Sequence, residues 1–391
     1  MTRRDFMTRC LACYGLSVLP AYAKAPQKRL IVIFLRGAMD GLSMVVPQFE
    51  PYYYEARPTI AIRNPLTLER DFGLHPSLPF LHDLWQNHHL SFIPACGLPK
   101  PNRSHFEAQD LMEKGVGAHD DRLTTGWLGR LSQLSSHPLY PLENIAFSPT
   151  VPTIFLGAKR VTTSMLKQKP GQQRSQEQQQ IEEAFERLYK GEDPLSRLYQ
   201  QASENRRMIQ QDLDKSLGMD ERGSSTSLAG FAKDGYNIGR LMRSDERIGT
   251  LFLSLGGWDT HTNQGDDQGA LANKFGDLSR GLEAMVEALG ETFRDTLIVM
   301  MTEFGRTVKE NGSKGTDHGW GSVMTVIGGE WHGGHIEGVW PGLDPAVLAD
   351  QRDLVVANDY REVIARALGR HWGETPKKFQ SLFPTFPLPM T

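Results

Sequence analysis

Cysteine is almost missing from this chain. Of 391 residues only Cys10, Cys13 and Cys96 are cysteine, and two of these stand at the extreme N-terminus. A disulfide framework is therefore excluded as the source of stability. An excess of either charge is also missing: 43 Lys and Arg face 46 Asp and Glu, a formal net charge of −3. With no basic patch, nucleic acid is set aside as a partner. No apolar run approaches the ~20 residues that cross a bilayer, and there is no internal repeat. What the chain does have is 39% hydrophobic residues, enough to bury a large core.

The first residues read as a targeting segment rather than as structure. Arg3-Arg4 is followed by Phe6, a short weakly apolar run from Leu11 to Leu19, and the small residues of Ala21-Tyr22-Ala23. This pattern resembles a twin-arginine export signal over residues 1–23, cleaved near Ala23. The alternative is a chance arginine pair before a buried helix. Export implies a periplasmic or otherwise exported protein, a transient partner in the twin-arginine machinery, and no membrane span after processing. Cys10 and Cys13 would leave with the signal.

Residues 24–391 are expected to form a single α/β domain. Leu30 to Leu35 is a continuous apolar, β-branched run, the pattern of a strand buried on both faces. Asp40-Gly41 follows it, either as a cation ligand past a strand end or as a turn signal. The aromatic stretch PYYYEARPTIAI reads as loop and edge strand, because Arg-Pro discourages helix. His75-Pro76 is expected to start a helix, and residues 90–95 form the next strand. Ser104 to Glu107 fits a capping box, with Gly115 as the C-cap. Residues 143–157 look like a strand pair. Residues 168–222 are Gln-rich and polar with Ile181, Phe185, Leu188 and Tyr189 at helical spacing, and read as a helical insertion. A helix over Leu228 to Met242 leads to a strand at 248–255. An amphipathic helix at 270–292 then separates that strand from TLIVMM, a β–α–β crossover that implies parallel strands. The fold class is α/β: a mainly parallel sheet flanked by helices.

The chemistry concentrates in GGWDTHTNQ, TEFGRT and GTDHGWG. Asp259 and His261, Glu303 and Arg306, and Asp317 and His318 each stand at a strand boundary. Ligands of open α/β sheets bind beyond the carboxyl ends of the strands. A mixture of carboxylates with imidazoles suits Zn, Mn or Fe better than Mg or Ca. Asp40 joins the set from the first strand. Ser104 either only caps its helix or serves as a nucleophile activated by the helix N-terminus and a metal.

RGAMDGLS, SHFEAQD, GGWDTH, TEFGRT with GTDHGWG, and DYREVIARAL resemble, in this order, the bacterial family known as domain of unknown function 1501. That family resembles in turn the alkaline phosphatase and sulfatase superfamily. The resemblance implies an alkaline-phosphatase-like α/β sheet and one or two divalent metal ions, Zn, Mn or similar. Asp40, Asp259, His261, Glu303, Asp317 and His318 are then the expected metal residues, and Ser104 is similar to the nucleophile. The carried-over function is an exported metal-dependent hydrolase acting on small phosphate or sulfate esters, with Arg306 clamping the anionic group. Two departures stand out: Phe304 falls where a ligand histidine is expected, and Asp259 and His261 are unusually close. The first favours an alternative, a non-catalytic periplasmic binding or assembly protein on the same fold. A third reading is an ion that only ties loops together.

Overall fold

The computed structural model describes residues 27–120, 122–134, 143–164 and 230–387, with a few positions between 185 and 203. The expected export signal at 1–23 lies outside the described residues, as does most of the expected insertion at 168–222.

Eleven strands are described: β1 (Arg29–Leu35), β2 (Val45–Pro47), β3 (Leu66–Thr67), β4 (Phe72–Leu74), β5 (Leu90–Gly97), β6 (Glu143–Phe147), β7 (Thr162–Ser164), β8 (Ile248–Leu255), β9 (Thr296–Met301), β10 (Ser322–Gly328) and β11 (Asn358–Asp359). The helices are α1 (Gly41–Met44), α2 (Pro51–Ala56), α3 (Pro79–Gln86), α4 (His105–Lys114), α5 (Trp127–Gln133), α6 (Phe231–Ser244), α7 (Ala270–Leu289) and α8 (Tyr360–Trp372). Eight strands form one sheet in the order β11-β5-β10-β9-β1-β8-β6-β7, and β2, β4 and β3 form a small second sheet. Every pairing in the large sheet is parallel except those of β10, which runs against β9 and β5. The expected mainly parallel sheet flanked by helices is the architecture observed.

The all-apolar reading of β1 has its cause in this order. β1 lies between β8 and β9, and its side chains alternate between two cores. Ile31, Ile33 and Leu35 join one cluster with Phe275 and Met285 of α7; Leu30, Val32 and Phe34 join the other with Tyr360 and Ile364 of α8. The crossover through α7 does give parallel strands, but β8 and β9 are not neighbours; β1 separates them. Because β10 is reversed, its start lies at the same end of the sheet as the finishes of β1, β5, β8 and β9. The loops that carry the polar motifs all gather at that end.

Three local expectations are corrected. PYYYEA is helix α2 with Pro51 in its first turn, and Arg57-Pro58 ends the helix instead of forbidding it. The helix expected at His75-Pro76 begins at Pro79, because His75 is buried and held by neighbouring chain: its N–H reaches Met44 O and its Nε2 lies 3.1 Å from Asp266 O. The strand pair expected over 143–157 is one strand, β6; the chain then makes a 3-10 turn at Thr153–Phe155 after Pro152, and β7 follows at Thr162.

Candidate metal centre

Each of the polar loops contributes to one cluster. β5 leads through a Pro- and Asn-containing loop into α4, whose first residue is His105. β8 leads through Gly256-Gly257 to Asp259 and His261. β9 leads to Glu303, and His318 precedes β10. Among the described residues, the His, Cys, Asp and Glu side chains that can close on one ion are His105, Asp259 and His318, with ligand atoms within 4.8 Å of one another. His105 Nε2 and His318 Nε2 are 3.1 Å apart. Asp259 reaches both rings, Oδ1 at 3.2 Å from His318 Nε2 and Oδ2 at 3.4 Å from His105 Nε2. His261 flanks the trio, its Nε2 3.1 Å from His318 Nε2 and 3.0 Å from Asp259 Oδ1.

The other ring nitrogens explain this crowding. His105 Nδ1 lies 2.8 Å from Glu303 Oε1, His318 Nδ1 2.9 Å from Arg103 O, and His261 Nδ1 3.2 Å from Asp317 Oδ1. All three partners are acceptors, and a ring that donates from Nδ1 to its partner leaves its Nε2 lone pair toward the cluster. Two lone pairs at 3.1 Å cannot hydrogen-bond to each other. They fit around a cation, because ligands ~2.0–2.1 Å from a tetrahedral zinc stand roughly 3.3 Å apart. An acceptor behind each imidazole is also how metal-ligating histidines are commonly oriented.

The expected residues thus divide by role. Asp259 and His318 enter the trio with His261 beside them. Glu303 and Asp317 stand behind imidazoles. Glu303 is fully buried, and its Oε1 accepts from Gly37 N and Gln109 Nε2 as well as facing His105. Gly37 has a φ of +114°, and a Cβ there would lie 2.8 Å from Asp259 N, so only glycine lets the β1 turn both approach the Asp259 loop and point its N–H at Glu303. Asp317 is held low by the Asn311 amide and by His261, against the opposing pull of partial burial.

Arg306 departs from its expected role as an anion clamp. Its side chain is buried and each of its three nitrogens donates: Nε to Thr316 Oγ1, Nη2 to Thr316 O, and Nη1 to Asp259 Oδ1 at 2.5 Å. Burial raises the Asp259 carboxyl, but the Arg306 hydrogen bond and charge outweigh it and hold the group below the usual carboxylate range. Arg306 positions Asp259. Phe304, which occupies an expected histidine position, is a floor: its ring centroid lies 5.0 Å from that of His105 and 5.1 Å from that of His318.

Asp40 is set apart from the cluster by Arg57. Its Oδ2 accepts from Arg57 Nη1 at 2.7 Å, Ser43 Oγ and Gln264 Nε2, and its Oδ1 from Arg57 Nη2 and Leu42 N. Burial works against the Asp40 charge, and Arg57 outweighs it and keeps the pKa low. The carboxylate expected as a metal ligand is saturated by a guanidinium. A buried network continues outward: Gln264 Oε1 accepts from Thr260 and Thr316, and Thr316 Oγ1 accepts from Arg306.

Ser104 is the N-cap residue of α4, but the expected capping box is absent: its side chain makes no capping hydrogen bond. Its N–H is turned to Asn102 Oδ1 instead. The exposed Ser104 is bracketed by two contacts to the cluster, through the Arg103 carbonyl and the His105 ring. His105 itself is the residue that sequence reasoning missed. It stands inside the quoted SHFEAQD motif, and the signal was its spacing: His105 and Gln109 are i and i+4 on one helix face, and both reach Glu303.

A mainly parallel α/β sheet with imidazoles and carboxylates gathered past its strand ends defines the class: an α/β protein with a metal-competent polar centre. The chain belongs to the family described as Protein of unknown function (DUF1501), which matches residues 85–382. No curated protein matches it in sequence. Among solved structures, it is similar to a protein in the alkaline phosphatase superfamily from Vibrio parahaemolyticus, at 10% identity over 93% of this chain and 71% of that one with a TM-score of 0.41. It is also similar to the C-terminal periplasmic domain of EptC from Escherichia coli, in complex with Zn, at 10% identity over 79% and 75% with a TM-score of 0.37.

Proposed function

We propose that this protein is an exported, metal-dependent hydrolase of small phosphate or sulfate esters, with His105, His318 and Asp259 holding one divalent ion of the zinc type. The observation that supports it is the convergence of three Nε2 atoms with Asp259, each ring backed by an acceptor at its Nδ1. Three protein ligands leave a coordination position for another group, the pattern of catalytic rather than structural zinc. The cluster is also open to solvent, with the Asp259 side chain 40% exposed and that of His261 42% exposed. When bound, the ion supplies a Lewis acid for the ester oxygens.

The chain's own residues supply the rest. Ser104, its hydroxyl free of any cap bond, attacks phosphorus or sulfur in line. A bond forms from the serine oxygen as the bond to the leaving oxygen breaks. The serine proton passes to His261 Nε2, oriented by Asp317, and from there to the departing alkoxide. Water then cleaves the seryl ester, releasing phosphate or sulfate and restoring the hydroxyl. The N-terminal N–H groups of α4 face the anion's charge.

A second reading has one observation in its favour. His261 Nε2 lies as near to His318 and Asp259 as the trio's members lie to each other, and a fourth ligand would close the ion into a clamp for three loops. Metal analysis of the purified protein and of His261→Ala, together with a panel of phosphate, phosphonate and sulfate esters, separates the readings. The hydrolase reading expects one ion per chain, ester turnover, and an alanine variant that keeps its metal and loses activity. An ion released by that substitution, with no turnover by the parent, establishes the clamp. Absence of metal defeats both.

A further inference from the structure

The opposite end of the sheet carries a cavity of about 1230 Å³, bounded by Leu297 at the start of β9, Gly328 at the end of β10, and Arg370 near the end of α8. It is separate from the metal centre by construction, since Glu303 follows the other end of β9. Five of the chain's twelve histidines line it: His88, His89, His332, His335 and His371. They do not form a second ion site; among the described residues the ion-closing cluster lies at the far end.

The hydrogen-bond inventory of this cavity is lopsided. Glu330, the carboxylate in its wall, has both oxygens engaged, Oε1 by Arg294 Nε at 2.8 Å and Oε2 by Lys28 Nζ at 2.7 Å. Glu337 Oε1 accepts from Arg370 Nη1 at 3.0 Å and faces His335 Nε2 at 3.3 Å. The two arginines each make a single hydrogen bond among the described residues, so Nη1 and Nη2 of Arg294 and Nε and Nη2 of Arg370 remain as donors. Arg370 Cζ also lies over the Trp331 ring, 4.9 Å from its centroid. His89 Nδ1 is buried with no partner. Unused guanidinium donors of Arg294 and Arg370 remain in this wall, and Leu297 and Trp331 supply apolar wall. A concavity with a few fixed polar groups on an apolar lining is the common form of a small-molecule site.

We propose that this cavity binds a small organic oxyanion, a carboxylate or phosphoryl group carried on an apolar or aromatic body. The guanidinium forks of Arg294 and Arg370 take the oxyanion, and Trp331 and Leu297 take the body. The site is independent of the chemistry at the metal centre.

The test is calorimetric titration of phenylphosphonate, with phenylacetate as the carboxylate counterpart, into the full chain and two variants. One is the double variant Arg294→Ala with Arg370→Ala; both side chains are at the surface, and circular dichroism checks the fold. The other is His318→Ala, which removes the metal centre as a competing anion site. Binding that falls at least about tenfold in the double arginine variant, as loss of charge-assisted hydrogen bonds requires, and that persists in His318→Ala supports the cavity. Binding that survives the arginine changes and vanishes in His318→Ala assigns the anion to the metal centre and overturns the proposal. So does the lack of saturable binding of either compound below about 1 mM, where a weak site still registers.

Discussion

Glu303 Oε1 lies 2.8 Å from His105 Nδ1, and this contact turns the other ring nitrogen, Nε2, toward Asp259 and His318. A fully buried carboxylate orients an imidazole that the chain delivers 198 residues earlier. Replacing Glu303 by Gln keeps the size but weakens the acceptor and changes the charge behind the ring. The expected result is a loss of metal affinity of roughly 10–100-fold, the usual effect of removing such a partner. Chelator competition against the wild-type protein measures it, and an unchanged affinity removes Glu303 from the site.

Ser104→Ala is expected to abolish ester turnover while leaving the metal content at the wild-type level. Metal analysis and activity on the same preparation make the comparison. Turnover that persists would exclude Ser104 as the nucleophile.

Arg306 gives a sharper separation. A residue that clamps substrate shows its loss chiefly as a raised KM. One that positions Asp259 shows it as weakened metal binding. Arg306→Lys is expected to lower metal affinity, and excess metal is expected to restore kcat with little change in KM. A large KM increase at saturating metal would return Arg306 to substrate binding.

The Asp40–Arg57 pair predicts a stability profile. The folded-state pKa of Asp40 is depressed, so its contribution is fully present above the unfolded Asp pKa, about 3.9. It is lost as pH falls through the lower folded value. Asp40→Asn leaves a buried guanidinium without its partner and is expected to cost about 3–5 kcal/mol near neutral pH. The variant's stability should also fall less steeply below pH ~4 than the wild type's, because one depressed carboxylate no longer has to be protonated. Urea unfolding at pH 7 and across the acid range tests both parts.

The strands were legible because burial on both faces leaves an uninterrupted apolar run, as in Leu30 to Leu35. The polar loops were legible because ligand-bearing turns follow such runs. The direction of β10 was not, since VMTVIGG reads the same whichever way it pairs. Arg57 hid in an aromatic stretch, and nothing local says that its guanidinium will cross to Asp40 and cancel that residue as a ligand. Arg306 looked like a free cation because the sequence does not reveal Thr316 behind it. His105 was overlooked because the adjacent serine already accounted for a helix start. In each case the missing information was a contact between residues far apart along the chain.

The reversal of β10 has a consequence for assembly order. Glu303 and His318 sit on the one loop that joins the adjacent strands β9 and β10, a shorter closure than the one that brings His105 and Asp259 from remote segments. On the proposed metal reading, an ion is captured only after those distant arms dock. Its removal should release them first, so that stripping metal exposes 97–105 and 256–261 to proteolysis while the β9–β10 pair stays protected.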